Sequence, residues 1–312
     1  MSGEATMARD DRLLVHIPFH YSPQRLPFLH QVVRNFQTYD LAHIDIVVDS
    51  NQASTRSALD SLSLPPFIQI AIAVHGSLKH PFDLTWVHRP AMATQLPNYD
   101  YFLYLEDDIL IPWPSFLAHL EDQNRLTGSG YSRGFLRLER DHQGRHFLAD
   151  FSEPMQKPAI LQWGGAAFIQ PKYPYCACWL YHRSQMAEFI ASSYWPEANY
   201  NHCNPPWAKG KGRLFKREKA AFGMAYLPQD RIPGPHRVVL PFDSQRQMID
   251  PKAWIYHLPA NYLQDPVSHF GKIPVDRLFH SPILWQLHPI ALTLNIHRGT
   301  KKLGRLWQRL QP

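Results

Sequence analysis

An α/β fold with a mostly parallel central sheet flanked by helices is the architecture this sequence predicts, and three observations point to it. In the first half, short apolar runs alternate with helical patterns; the runs are continuously apolar rather than alternating; and acidic residues fall where two of them end. Continuous runs mark strands buried on both faces, which is how parallel sheets with crossover helices are built.

The elements follow in order. "RLLVHIPFHY" supplies a buried first strand ended by Pro18. "SPQRLPFLHQVVRNFQTYD" sets Leu26, Leu29, Val33 and Phe36 at spacings of three and four, with Ser22 as cap and Pro23 as first helical residue. "IDIVVDSN" is a second strand ending in Asp49, "TRSALDSL" a short helix, "FIQIAIAV" a third strand and "FLYLEDDILIP" a fourth. Beyond residue 130, "RGFLRLERD", "HFLADFS", "AILQWGGAAFIQ" and "HRVVLPF" predict short strands between turns, with one helix over 182–194. Dense Pro and Gly from 196 to 241 predict long irregular loops around a site. Residues 12–262 then form one domain, followed over 263–312 by a tail that mixes basic and large apolar side chains.

Composition narrows the partners. A net charge of +6 over 312 residues favours anionic ones, nucleotides or phospholipid head groups among them. Three cysteines are too few and too odd in number for a disulfide framework, which fits a reducing compartment. With no charged segment leading into an apolar one at the N-terminus and no apolar run near the ~20 residues a membrane span needs, the expected location is cytoplasmic. The tail's basic and apolar mixture allows a peripheral contact with an anionic membrane surface; packing on the body would give the same pattern.

The acids Glu106, Asp107 and Asp108 interrupt an apolar run, and carboxylates there require a cation because desolvating even one is costly. Mn²⁺ or Mg²⁺, which take oxygen ligands and bind through one or two carboxylates plus substrate phosphates, suit the position. Caps or surface ion pairs ahead of a helix starting near Trp113 are the plainer alternative. Ligands of open α/β sheets sit outside the carboxyl ends of the strands, and that favours the metal.

"YDYFLYLEDDILI" resembles the aspartate-x-aspartate segment of GT-A-fold glycosyltransferases in its Glu-Asp-Asp form. The resemblance implies a GT-A-like, Rossmann-like domain with a nucleotide-binding half over 12–125 and an acceptor-side half over 126–262. In that fold the acidic segment binds a divalent metal that bridges the diphosphate of a nucleotide sugar. By the same resemblance Asp108 is the direct metal ligand, with Glu106 and Asp107 acting on the nucleotide or through water. "QWGGAAF" is similar to the glycine segment near the donor sugar, which marks Gly164 and Gly165. "FKREKAAFGM" holds the place of the motif whose last carboxylate is the base in inverting members, which marks Glu218. Lys219 stands where the usual Glu-Asp pair continues, and inversion rests on Glu218 alone. "DPKAWIYHLPANY" resembles the segment that supplies a metal-ligating histidine, here His257.

Asp49 matches the position that contacts base or ribose, its plainer role being to start a turn before Ser50 and Asn51. His88 and Arg89 lie where a cation would meet the diphosphate. Lys209, Lys211, Arg213, Lys216 and Arg217 form a basic cluster suited to a loop closing over phosphates.

The resemblance therefore implies a hexosyltransferase-like enzyme using a nucleotide-sugar donor and a glycan, lipid-linked or protein hydroxyl acceptor, with nucleic acid not the expected partner. Two other classes stay open. The same acids suit a metal-dependent nucleotide phosphotransferase or hydrolase, and the basic loop and tail suit a non-catalytic glycan- or nucleic-acid-binding protein.

Overall fold

The computed structural model describes residues 11–199, 216–227 and 234–281, with single positions between 285 and 293. The chain lays down β1 (Arg12–Phe19), α1 (Leu26–Asn35), β2 (His43–Ser50), α2 (Ser54–Leu59), β3 (Ile68–Val74), α3 (His88–Thr94) and β4 (Tyr101–Leu105). Next come β5 (Ile109–Leu110), α4 (Trp113–Arg125), β6 (Ser132–Arg133), β7 (Leu136–Arg140), β8 (His146–Leu148), β9 (Ile160–Trp163), β10 (Ala166–Ile169), β11 (Cys178–His182) and α5 (Arg183–Ala191). Then follow α6 (Lys216–Ala221), β12 (Val238–Asp243), β13 (Met248–Ile249), β14 (Trp254–His257) and α7 (Asn261–Gln264).

The first half builds one sheet in the order β11-β4-β1-β2-β3. β1 runs parallel to both β2 and β4, and β2 parallel to β3. Both faces of this sheet are covered at its central strands β1 and β4, as continuous apolar strands require, while the edge strand β3 is half-exposed. Leu103 and Leu105 of β4 pack with Val15, Ile17 and Ile46 on one side, while Phe102 and Tyr104 pack with Trp179, Tyr181 and Phe189 on the other.

The sheets are mixed rather than mostly parallel. β11 joins β4 antiparallel, and two further sheets, β13-β12-β10-β9 and β5-β14-β7-β8, combine antiparallel pairs with parallel contacts at β6–β12 and β7–β14. Short turns account for three of the antiparallel pairs, β7–β8, β9–β10 and β12–β13, because a short turn permits no other pairing; the pairs β4–β11, β10–β12 and β5–β14 join strands distant in sequence.

Two boundaries differ from expectation in ways that shape the site. Helix α1 starts at Leu26, not Pro23; the Ser22 carbonyl instead accepts the amides of Arg25 and Leu26, so Arg25 takes the position ahead of the helix. The apolar run 101–111 is two strands in two sheets, with the acidic triplet as the turn between them.

Part of the 263–312 segment expected as a tail belongs to the body. Ile273 and Leu278 sit in the core of β7 and β8, and the Ile273 and Leu278 carbonyls accept the amides of Leu148 and Met155. The basic tail positions beyond 293 lie outside the described residues, as do Lys209, Lys211 and Arg213 of the basic cluster. No helix among the described residues is long and apolar enough to cross a membrane.

A buried histidine makes part of this core pH-sensitive. His236, 4% exposed, accepts the Val238 amide at Nδ1 (3.2 Å) and donates Nε2–H to the Pro171 carbonyl (2.8 Å), so only the neutral ring fits. Burial pushes its pKa down to about 4. The unfolded chain, titrating near 6.5, binds the extra proton between those values, and stability is therefore lost as pH falls from about 6.5 to 4, on the order of 3 kcal/mol in all. His236→Gln is expected to remove this contribution. Urea unfolding of both proteins across that range should give curves that converge by about 1.4 kcal/mol per pH unit as pH falls, and parallel curves would refute the assignment.

Candidate functional site

The triplet is a tight turn: the Ile109 amide returns to the Glu106 carbonyl (3.1 Å), and β5 leaves in the direction of a different sheet. β5 then pairs antiparallel with β14, setting His257 opposite Ile109, and the Leu258 amide donates to the Asp108 carbonyl (2.9 Å). That pairing carries His257 to Asp108 across 149 positions of sequence, its Nε2 lying 3.4 Å from Asp108 Oδ2. One residue with left-handed backbone, Ala177 (φ 58°), abuts the turn. The Ala177 carbonyl accepts the Glu106 amide, so the strain, of order 1–3 kcal/mol for a non-glycine residue, lies against the triplet.

The cation that meets the acids is Arg25. Its guanidinium binds Asp107 through Nε (2.8 Å) and Nη2 (2.6 Å), and the same Nη2 reaches Asp108 Oδ2 at 2.9 Å. Asp108 Oδ1 is buried and has no partner. Glu106 accepts the Tyr175 hydroxyl at 3.1 Å. Burial, and after it the charge of Asp108, pushes the Glu106 carboxyl above the usual range; burial does the same to Asp107 against the pull of Arg25. At Asp108 burial acts in the same direction, but the bond to His257 and the nearby cations overcome it and hold this carboxyl low.

Behind His257 stands Glu139, fully buried on β7. It accepts the His257 ring Nδ1–H at 2.6 Å and the amides of Tyr262 (3.2 Å) and Leu263 (2.5 Å) at the start of α7. Nδ1 thereby carries a proton and Nε2 is turned to Asp108. Burial disfavours the charged ring, yet the bonds to Asp108 and Glu139 raise the pKa of His257. Gly271 (φ +71°) closes this wall, because a Cβ there would lie 2.6 Å from the Leu263 nitrogen and 2.9 Å from Glu139 Oε2. On the same strand Arg137 pairs with Asp150 through Nε (2.9 Å) and Nη2 and lies over the rings of Tyr175 and Tyr262.

Arg25, the three acids, Arg137, Asp150, Tyr175 and His257 line one cavity of about 1190 Å³ outside the carboxyl ends of β1 and β4, with Glu139 behind its wall. Small-ligand pockets span roughly 300–1,000 Å³, so this one has room for two substrates. Arg217 and Glu218, on the first turn of α6, face the same space, and Lys216 ties that turn to Asp83 at 2.5 Å.

Of the residues singled out from sequence, Glu106, Asp107, Asp108, Arg217, Glu218 and His257 meet around this cavity. The others are committed elsewhere. Asp49 is at the end of β2, but its two oxygens are bound by His16 (2.8 Å) and His75 (2.9 Å), which with a nearby His88 hold its pKa at about 2 despite burial. Arg89 is buried among Trp86, Phe189 and Trp195 and donates to the carbonyls of Tyr194 and Trp195. Gly164 (φ 55°) and Gly165 (φ 76°) form the two-residue turn between β9 and β10, where both central residues need positive φ. None of these four lines the cavity.

Sequence reading missed Arg25, Arg137, Glu139, Asp150 and Tyr175. One signal was present: Arg137 and Glu139 alternate with Leu136 and Leu138, which puts two charges on one face of a strand.

Among the described residues no group of three or more His, Cys, Asp or Glu could hold a metal ion unaided. Asp108 with its unpartnered Oδ1, and His257 with Nε2 oriented by a carboxylate, still offer one oxygen and one nitrogen of the kinds Mn²⁺ accepts. That pair fits a metal completed by water and substrate phosphates. Comparison with known proteins adds nothing to the geometry: no family model matches the chain, and no curated protein matches it.

Proposed function

We propose that the protein is a metal-dependent glycosyltransferase of GT-A-like architecture, moving a sugar from a nucleoside-diphosphate donor to a hydroxyl acceptor with inversion. The observation that carries the reading is the convergence on one cavity of the acidic turn, His257 and Glu218, three segments far apart in sequence. The cavity's place at the carboxyl ends of parallel strands supports it too.

In this reading Asp108 and His257 hold Mn²⁺ or Mg²⁺, with Glu139 fixing the histidine. The metal, when bound, offsets the charge on the departing diphosphate. Arg25, Arg137 and Arg217 contribute positive potential to the phosphate region, and Glu218 accepts the proton of the acceptor hydroxyl. The acceptor is a glycan, a lipid-linked sugar or a protein side chain, and the mixed basic and apolar tail suits an anionic membrane surface.

A thermal-shift panel of nucleotide sugars with and without Mn²⁺ tests this, repeated on Asp108→Asn. One donor should stabilise the wild type only with metal, by roughly 2.7 kcal/mol at a hundredfold excess over its dissociation constant, and the variant should lose that shift. Failure of every sugar nucleotide to shift the wild type would count decisively against the proposal. Donor consumption that proceeds equally without any acceptor would reassign the site to hydrolysis.

A further inference from the structure

Arg25 binds two of the three acids of the turn. Glu139, His257, Asp108, Arg25 and Asp107 form an unbroken chain of contacts, from 2.6 Å at Glu139–His257, through 3.4 Å at His257–Asp108, to 2.9 and 2.8 Å on the two sides of Arg25. Three carboxylates there face one guanidinium and one imidazole, so the charges of the turn are already largely matched. A divalent cation entering at Asp108 meets Arg25 Nη2 on Oδ2, and two cations on one carboxylate repel each other at short range. Yet Asp108 Oδ1 stays buried with no partner, an arrangement that costs stability and that an ion bound there would relieve.

Arg25 is also built to leave. Its side chain is 39% exposed and faces the cavity, while its backbone is held by the Ser22 carbonyl, so the guanidinium can swing away without disturbing α1. A diphosphate offers that planar fork a bidentate partner as good as a carboxylate.

We propose that Arg25 is the resident counter-cation of the acidic turn and that it exchanges: when a nucleoside diphosphate binds, the guanidinium passes from Asp107 and Asp108 to the phosphates, and Asp108 takes the divalent metal. The inference rests on the donor class proposed above. Its consequence is coupling. Diphosphate raises the affinity for metal and metal raises the affinity for diphosphate by the same factor, as linkage requires.

Free Mn²⁺, followed by its electron paramagnetic resonance signal with Mn²⁺–nucleotide complexes accounted for, provides a test that needs no turnover. Wild type should bind Mn²⁺ weakly alone and about tenfold or more tightly with UDP or GDP. Arg25→Gln should bind Mn²⁺ alone more tightly than wild type and respond less to the nucleotide. Arg25→Lys, which keeps the charge but not the fork, should retain weak binding of the metal alone and lose most of the coupling. Unchanged Mn²⁺ affinity in Arg25→Gln, or unchanged coupling in Arg25→Lys if the first variant does not fold, would overturn the exchange and leave the glycosyltransferase reading standing. If neither nucleotide binds the wild type with Mn²⁺ present, the donor reading fails and the exchange fails with it.

Discussion

Replacing Arg137 by Met is expected to lower the free energy of unfolding by about 3–5 kcal/mol, the scale on which removing one partner of a buried ion pair destabilises a fold. Arg137 is 4% exposed as a side chain and Asp150 10%, and their pairing is bidentate. Without the guanidinium, Asp150 stays in a site whose burial already pushes its carboxyl above the usual range. Glu106 and Asp108 lose a nearby positive charge as well. Urea denaturation measures the loss. The double variant Arg137→Met with Asp150→Leu should recover part of it, since removing both charges leaves no orphan, while the effect on the acidic turn persists. A single-variant loss below about 1 kcal/mol, the range of exposed pairs, would show that water reaches this pair and that the wall is not sealed.

The first three strands and the helices α2 and α4 were readable in sequence because each signal is local. β1 and β4 are buried on both faces and β2 nearly so, and such strands appear as uninterrupted apolar runs; the edge strand β3, buried only at Ile68, carries the same kind of run. The β4–β5 break was not readable: in "LEDDIL" the two Asp are the sole turn formers, with no Gly or Pro beside them, and two of the backbone bonds that hold the turn come from Ala177 and Leu258, distant in sequence. Strand-end logic put Asp49 correctly at the end of β2, but it could not supply His16, from within β1, and His75, just past β3, which use up its oxygens. Arg25 is 82 positions from Asp107 and stands at a helix start, where a charged side chain ordinarily points to solvent. For Arg137 and Glu139 the alternation with Leu136 and Leu138 marked a polar face; that the face turns to a cavity rather than to bulk water is a property of the β5-β14-β7-β8 sheet.

Glu218→Gln separates the chemistry of the cavity from its binding. If Glu218 takes the proton of the acceptor hydroxyl, the amide, which cannot, should lower kcat by about 10²–10⁴-fold, the usual contribution of a positioned general base. Donor binding should be untouched, because the donor is assigned to the acidic turn and its cations; the metal-dependent thermal shift of the variant should match wild type. The KM for donor should likewise stay within a few-fold. A merely structural role gives a different pattern: Glu218 lies on the first turn of α6, beside the Lys216–Asp83 pair that fixes that turn, and losing a support there would lower stability and donor binding together. Glu218→Asp, which keeps the carboxylate but shortens its reach, should recover part of the turnover that Glu218→Gln loses. A Glu218→Gln enzyme with wild-type turnover would remove the one residue on which inversion rests, since Lys219 offers no carboxylate to take over.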